Sequence, residues 1–302
     1  MKTVVSVSLG SSRRDHSAVL SLMGEEVHLA RRGMDGSIER ALDTIAALDG
    51  HVDALGLGGV DRWLSVGPHR YTVPTGERLA QAATATPVVD GGGIKAVWEP
   101  MVVQALVADG ILRPGQTALM VSALDRYPMA AALDAAGIRL VCGDLMFSAR
   151  IDYPIRSLAE LEELGRRLVP EMVKLPFEQL YPVGEDQEAT PDPRFLRHFE
   201  EADVVAGDFH YIRRYLAGRL DGKVMLTTTT TAADVDRLWS HGLSTLATTS
   251  PQLDGRTFGT NVLEAALVAV SGVGAADPRW PDTVRAAGLA PFVRRRPAQE
   301  LA

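Results

Sequence analysis

The chain has 302 residues, 46% of them hydrophobic and 23% charged, with a formal net charge of −7. That length suits one large domain or two ordinary ones with a sizeable core. The acidic balance argues against nucleic acid or a membrane surface as the main partner, and the Arg294-Arg295-Arg296 triplet reads as a solvated tail.

Val4 to Leu9 reads as a buried strand ending in Gly10-Ser11-Ser12. Val19–Leu22 and Val27–Ala30 flank Met23-Gly24-Glu25-Glu26 as a hairpin. Ser37 opens a helix with apolar positions at Ile38, Leu42, Ile45 and Leu48. A strand over Val52–Leu57, a polar hairpin from Trp63 to Val73 and a short helix from Thr75 or Gly76 follow. Pro87-Val88-Val89 is a short strand before Asp90-Gly91-Gly92-Gly93-Ile94-Lys95, and a longer helix runs from about Ala96 to Asp109. The turn Leu112-Arg113-Pro114-Gly115 reads as a domain boundary.

Beyond it strands and helices alternate. The strands are Thr117–Ala123, Ile138–Cys142, Asp203–Ala206, Lys223–Leu226 and Ser244–Thr248. Helices lie between them near Met129–Ala136, Leu158–Glu171, Tyr211–Leu216 and Ala233–Trp239. Short apolar strands separated by helices imply a parallel sheet covered on both faces. The acidic, Pro-containing segment Lys174–Pro193 reads as a surface connection, and Asn261–Val270 as a helix after the sheet is complete. The predicted class is therefore α/β with two domains: an N-terminal α/β domain, 1–112, on the substrate side, and a Rossmann-like doubly wound parallel sheet, 113–302. The C-terminal helix is expected to return to the first domain.

The lone cysteine, Cys142, excludes an internal disulfide framework and reads as a small core residue. The seven histidines show no H-x-x-x-H or H-E-x-x-H spacing, so no metal is expected. The chain enters its first strand directly and holds no run of membrane-span length, which predicts a cytoplasmic protein.

Thr227 to Thr231 form an unbroken run of hydroxyls between the fourth of these strands and the next helix. Thr231-Ala232-Ala233-Asp234 fits a capping box with Thr231 as N-cap. Ser122 and Asp125, Gly143-Asp144, Gly207-Asp208 and Thr248-Thr249-Ser250 leave small or polar groups at the other strand ends. In an open parallel sheet this rim is where ligands bind. Thr229, Thr230 and Thr249 are candidate rim contacts, although threonine also favours strands and caps without any ligand.

For a dinucleotide the first strand should run into G-x-G-x-x-G, but Ala123-Leu124-Asp125-Arg126-Tyr127-Pro128 stands there. Asp144 lies about twenty residues on, where an acidic residue would hold a ribose. Ser122, Arg126 and Asp144 are thus the cofactor candidates, and Asp144 would favour NAD over NADP. In the N-terminal domain Gly91, Gly92 and Gly93 could present amides to an anion, with Asp90 and Lys95 placed for proton transfer. Ser11 and Arg13 could take a carboxylate or phosphate. Each of these also has a plain reading as a turn with solvated charges.

Val4–His16 (VVSVSLGSSRRDH), Asp53–Gly59 (DALGLGG), Thr86–Lys95 (TPVVDGGGIK) and Phe258–Leu267 (FGTNVLEAAL) resemble a bacterial group labelled quinate 5-dehydrogenase. The overall plan looks like that of shikimate/quinate dehydrogenases. The resemblance implies NAD or NADP as cofactor, a small polyhydroxy acid as substrate, Lys95 in the place of the acid–base lysine, and Asn261 or Glu264 in that of the last helix's glutamine. The N-V-T-x-P-x-K loop, the N-x-x-G-x-D aspartate and the glycine-rich nucleotide turn of true shikimate dehydrogenases are not present as written.

The leading expectation is an NAD(P)-linked oxidoreductase acting on a small polyhydroxy acid held between the domains, with Lys95 and Asp90 catalytic. A phosphoryl-transfer protein of actin-like type, suggested by Val4–Gly10 followed by Ser11-Ser12, and a non-catalytic small-ligand sensor stay open. A homo-oligomer is also left open.

Overall fold

The computed structural model describes residues 1–175, 192–216 and 218–296. Most of the predicted Lys174–Pro193 connection lies outside the described residues. The chain divides into two compact units. Of the described residues, the first unit holds Met1–Trp98, 166–175 and Phe258–Leu289, and the second holds Glu99–Gly165, 192–216, 218–257 and 290–296. The division falls between Trp98 and Glu99, inside a helix, and the Leu112–Gly115 turn lies within the second unit.

The first unit contains a five-stranded sheet in the order β2-β3-β1-β4-β7. Its strands are β1 (Lys2–Ser8), β2 (His16–Leu22), β3 (Glu25–Gly33), β4 (Ala54–Gly58) and β7 (Val88–Val89). All are parallel except β2, which is antiparallel to β3. Met23 and Gly24 make the two-residue connection with φ of 52° and 82°. Both are positive, as a type I′ hairpin turn requires. Helix α1 (Ile38–Leu48) is capped by Ser37, whose Oγ accepts from the Arg40 amide at 3.2 Å, and it buries Ala41 and Ile45. Strands β5 (Trp63–Val66) and β6 (His69–Thr72) form a separate hairpin before α2 (Pro74–Ala80). Helix α3 (Gly92–Ala108) begins four residues before the predicted Ala96, so Gly92 and Gly93 are helical residues and not loop.

The second unit contains a six-stranded sheet in the order β15-β12-β11-β10-β8-β9, in which β15 is Phe292–Arg295. Strands β8 (Thr117–Met120), β9 (Arg139–Cys142), β10 (Val204–Ala206), β11 (Val224–Thr227) and β12 (Thr245–Thr248) are parallel. In chain order the neighbours run second, first, third, fourth, fifth. This is the flavodoxin-like version of a doubly wound sheet, whose switch point lies between its first and third strands, here β8 and β10. Helices α4 (Tyr127–Ala135), α5 (Asp144–Ala149), α7 (Leu196–Glu201), α8 (Phe209–Tyr215) and α9 (Ala232–Ser240) accompany the strands, and α6 (Leu158–Met172) is divided between the two units after Gly165. A short hairpin, β13 (Gln252–Leu253) with β14 (Arg256–Thr257), follows β12. The core beneath the rim is aromatic: Phe147 packs with Phe195, Phe199 and Tyr215 at ring separations of 5.5, 5.8 and 4.8 Å.

Two helices close the first unit: α10 (Thr260–Ser271), buried from Thr260 to Ala269 and lying against β1 and β4, and α11 (Trp280–Ala286). Arg294 and Arg295 are exposed, as a solvated triplet should be, but the segment is not a loose tail. Phe292–Arg295 is strand β15, antiparallel to β12, with Phe292 opposite Thr248 and Val293 opposite Ala247. Without it β12 would be a bare edge, and the ladder outweighs the charge pattern. The Arg294 guanidinium also lies over the Trp239 ring, 5.9 Å from its centre. Among the described residues no helix is long and apolar enough to cross a membrane.

Candidate functional site

At the switch point of the second sheet, the turn after β8 carries Ser122, Asp125 and Arg126, and the turn after β10 carries Gly207 and Asp208. The two strand ends approach closely. Gly207 has φ of 127°, and a Cβ there would come within 2.8 Å of Val121 Cγ2. Arg126 is 3% exposed. Its guanidinium donates to Glu99 of α3 and lies 3.5 Å from Asp125 and 3.6 Å from Asp208. Burial works against its charge, but Glu99, Asp125 and Asp208 outweigh that and hold it more firmly protonated than usual. Glu99 is fully buried, whereas the side chains of Asp125 and Asp208 remain 27% and 24% exposed. One cation is therefore set among three carboxylates, two of them within reach of solvent. Burial, followed by the charges of Asp208 and Asp125, raises the pKa of Tyr211 well above the usual phenol range, so its hydroxyl stays a donor. The His210 amide donates to Asp208 at 2.8 Å.

Each threonine of the run has its own position. Thr227 donates to the Gly207 carbonyl at 2.8 Å and ties β11 to β10. The buried Thr228 hydroxyl has no hydrogen-bond partner among the described residues, and the same holds for the buried hydroxyl oxygens of Ser122 and Ser250. Thr229 is half-buried at the same rim. The Thr230 amide donates to Thr257 Oγ1 at 2.7 Å, which joins it to β14. Thr231 caps α9 in a capping box with Asp234. Thr249, fully buried, donates its amide to the Thr227 carbonyl at 3.0 Å.

Asp144 stands at the same carboxyl rim, at the start of α5. Its two oxygens accept from the amides of Ala123 at 3.1 Å and Leu124 at 2.9 Å. The group expected to hold a ribose thus fixes the β8–α4 turn. Burial raises its pKa to about 6, against the lowering effect of those two amides.

The first unit has its own polar rim, and there the groups satisfy one another. Asp90 accepts from the amides of Gly92 at 2.8 Å and Arg62 at 2.7 Å. Glu264 of α10 accepts from the Ile94 amide at 2.9 Å. The amides expected to meet an anion therefore meet carboxylates of the same unit. Gly91, with φ of 93°, and Gly93 allow close approach: a Cβ would come within 2.6 Å of Thr260 at Gly91 and 2.3 Å of Ala275 at Gly93. Burial first, then the charge of Asp90, raises the Glu264 pKa to about 7. Lys95 is 7% exposed and donates to Asp61 at 3.2 Å. Asn261 donates to Ser6 at 2.7 Å, which fastens α10 to β1.

Ser11 caps a single 3-10 turn, Ser12–Arg14, by accepting from the Arg13 amide at 3.3 Å, and the Arg13 side chain is exposed. The arginine that fills this rim is Arg31, which donates to Ser8 at 2.9 Å, the Ser11 carbonyl at 3.0 Å and Asp15 at 2.8 Å. The Ser12 amide is taken by Asp35 at 2.7 Å. Among the described residues no group of three or more His, Cys, Asp or Glu is placed to hold a metal.

Glu99 escaped the sequence reading. Its signal was a lone carboxylate in the apolar stretch Ala96–Val103. Asp125, Asp208 and Ser250 were visible as polar strand ends, but nothing local said which would converge on Arg126.

Residues 93–295 match the model of a domain of unknown function, DUF8754, and residues 3–90 match that of a second, DUF8753. The chain belongs to the DUF8754 family. No curated protein matches it. Among solved structures it is similar to a hetero-hexameric glutamate dehydrogenase from Thermus thermophilus, with 12% identity over 95% of this chain and 73% of that one and a TM-score of 0.44. An NAD-dependent malic enzyme from Thermotoga maritima shares 13% identity over 95% of this chain and 83% of that one, with a TM-score of 0.34. The substrate-binding protein of a sugar ABC transport system from Bordetella parapertussis shares 13% identity over 82% of this chain and 75% of that one, again with a TM-score of 0.34.

Proposed function

We propose that this member of the DUF8754 family binds a small polyhydroxylated molecule at the carboxyl rim of its second sheet, between the ends of β8 and β10. The carrying observation is the Arg126 cluster, in which Asp125 and Asp208 are held by a buried guanidinium yet remain partly exposed. Carboxylates positioned in this way accept from ligand hydroxyls. The unpartnered hydroxyls of Ser122, Thr228 and Ser250 on the same rim support the reading. A buried hydroxyl without a partner costs roughly 1–3 kcal/mol, which a ligand would relieve.

The β8–α4 turn does not fit a dinucleotide pyrophosphate. The amides of Ala123 and Leu124 are taken by Asp144, Pro128 offers no amide proton at the start of α4, and Asp125 and Asp208 would repel the phosphates.

A second reading is an oxidoreductase of the quinate 5-dehydrogenase kind, acting on a small polyhydroxy acid. One observation favours it: Glu264, whose pKa of about 7 suits a group that takes up and releases protons near neutrality, feels the charges of Asp90 and Lys95. NAD or NADP would then be held away from the β8–α4 turn.

Thermal-shift titration separates the readings. Neutral sugars and polyols, quinate and shikimate, and NAD and NADP are each added to the wild type and to Asp208→Asn. The expected result is stabilisation of the wild type by a polyhydroxylated compound, lost in the variant. Stabilisation by NAD or NADP, unaffected by Asp208→Asn, would overturn the first reading in favour of the second.

A further inference from the structure

Strand β2 is the outer strand of the first unit's sheet and, among the described residues, pairs with β3 alone. Natural proteins blunt such edges with charges, proline, bulges or short length. β2 has none of these between Ser17 and Leu22. It is seven residues long, His16-Ser17-Ala18-Val19-Leu20-Ser21-Leu22, and its register with β3 runs unbroken from His16↔Arg31 to Leu22↔Glu25. Ser17, Val19 and Ser21 are exposed, Val19 to 51%.

The hairpin fixes which backbone groups face outward. With a two-residue connection, the flanking pair Leu22 and Glu25 exchange both hydrogen bonds. Alternation then turns the peptide groups of Leu22, Leu20 and Ala18 toward β3, and those of Ser21, Val19 and Ser17 toward the free edge. The segment Ser17-Ala18-Val19-Leu20-Ser21 is nearly the same read in either direction. Laid antiparallel on a second copy about a twofold axis at Val19, Val19 opposes Val19, Ser17 opposes Ser21 and Ala18 opposes Leu20. Every outward amide of the three then finds a carbonyl. The serines can hydrogen-bond across the pair, the valines pack, and no charge opposes a like charge. Centring the pairing two residues earlier sets Asp15 against Val19 and leaves Ser21 beyond the strand. Centring it two residues later sets Val19 against the turn residue Met23.

We propose that two copies of this chain associate through β2, antiparallel about Val19, and so join their five-stranded sheets into one continuous sheet. The interface is isologous and closed, as a twofold dimer requires. It does not depend on the ligand reading.

Light scattering should give the purified protein twice the 32.4 kDa of one chain. Val19→Lys places two ammonium groups opposite each other and should yield a monomer with an unchanged circular dichroism spectrum. Val19→Cys should form an intermolecular disulfide on mild oxidation. Opposed residues at such a position have Cα atoms about 5.5 Å apart, within disulfide reach. The native thiol, Cys142, is buried and leaves the introduced one as the reactive group. A monomeric wild type, or a dimer that survives Val19→Lys while Val19→Cys stays unlinked, would overturn the proposal.

Discussion

The two units place polar residues at the carboxyl ends of parallel strands, and they use them in opposite ways. In the first, the carboxylates of Asp90 and Glu264 lie on the opening amides of α3, Lys95 on Asp61 and Arg31 on Ser8 and Asp15. Those donors and acceptors hold α10 and α3 to the sheet. In the second, Arg126 gathers three carboxylates, while the hydroxyls of Ser122, Thr228 and Ser250 are left without partners among the described residues. A polar rim is therefore not in itself a ligand site. What distinguishes the second rim is that part of its hydrogen-bonding capacity is not taken up by the described residues.

The largest effect is expected at Arg126. Arg126→Met leaves Glu99 buried without its cation and should cost about 3–5 kcal/mol in urea unfolding. Arg126→Met combined with Glu99→Leu should recover most of that stability without restoring ligand binding. A single variant as stable as the wild type would mean that the cluster does not hold the switch point together.

The next tests the first rim. The Glu264 carboxyl, raised from 4.5 to about 7, keeps its proton in the folded chain where the unfolded chain has lost it. Its contribution is fully present below pH 4.5 and is lost as the pH rises through 7. Glu264→Gln should remove up to about 3 kcal/mol of that fall and be the more stable form above pH 7. Asp144, raised to about 6, gives the second unit a slope of the same sign that ends at lower pH and should survive the substitution. Parallel stability profiles for variant and wild type from pH 4.5 to 8 would show that Glu264 is not the buried acid of the first rim.

The smallest effect on stability is the sharpest test of the contrast. Ser122→Ala and Thr228→Val remove buried hydroxyls that bond to no described residue, so neither should lower the stability while ligand binding weakens. Thr227→Val, one residue along the run, removes the bond to Gly207 and should cost about 1 kcal/mol. Equal costs at Thr227 and Thr228 would erase the distinction between structural and available hydroxyls.

By itself the sequence determined the parallel strands, the longer helices and the class of the fold. Apolar runs of strand length alternating with amphipathic helices require a parallel sheet, and Thr231 with Asp234 marks a helix start locally. It also put polar residues at the strand ends, because each depends on its own few neighbours. Only the tertiary structure decided what those residues do. Asp144 looks like a ribose ligand until the β8–α4 turn folds onto it, and Glu99 has no visible role until Arg126 arrives from 27 positions away. The glycines of Gly91-Gly92-Gly93 look like an anion loop until Glu264, 170 positions from Ile94, occupies the first turn of α3. The stretch from Phe292 to Arg295 looks like a loose tail until its backbone pairs with β12. In each case a buried charge or a backbone hydrogen bond is satisfied by a group remote in sequence, and local pattern carries no information about which one will be brought there.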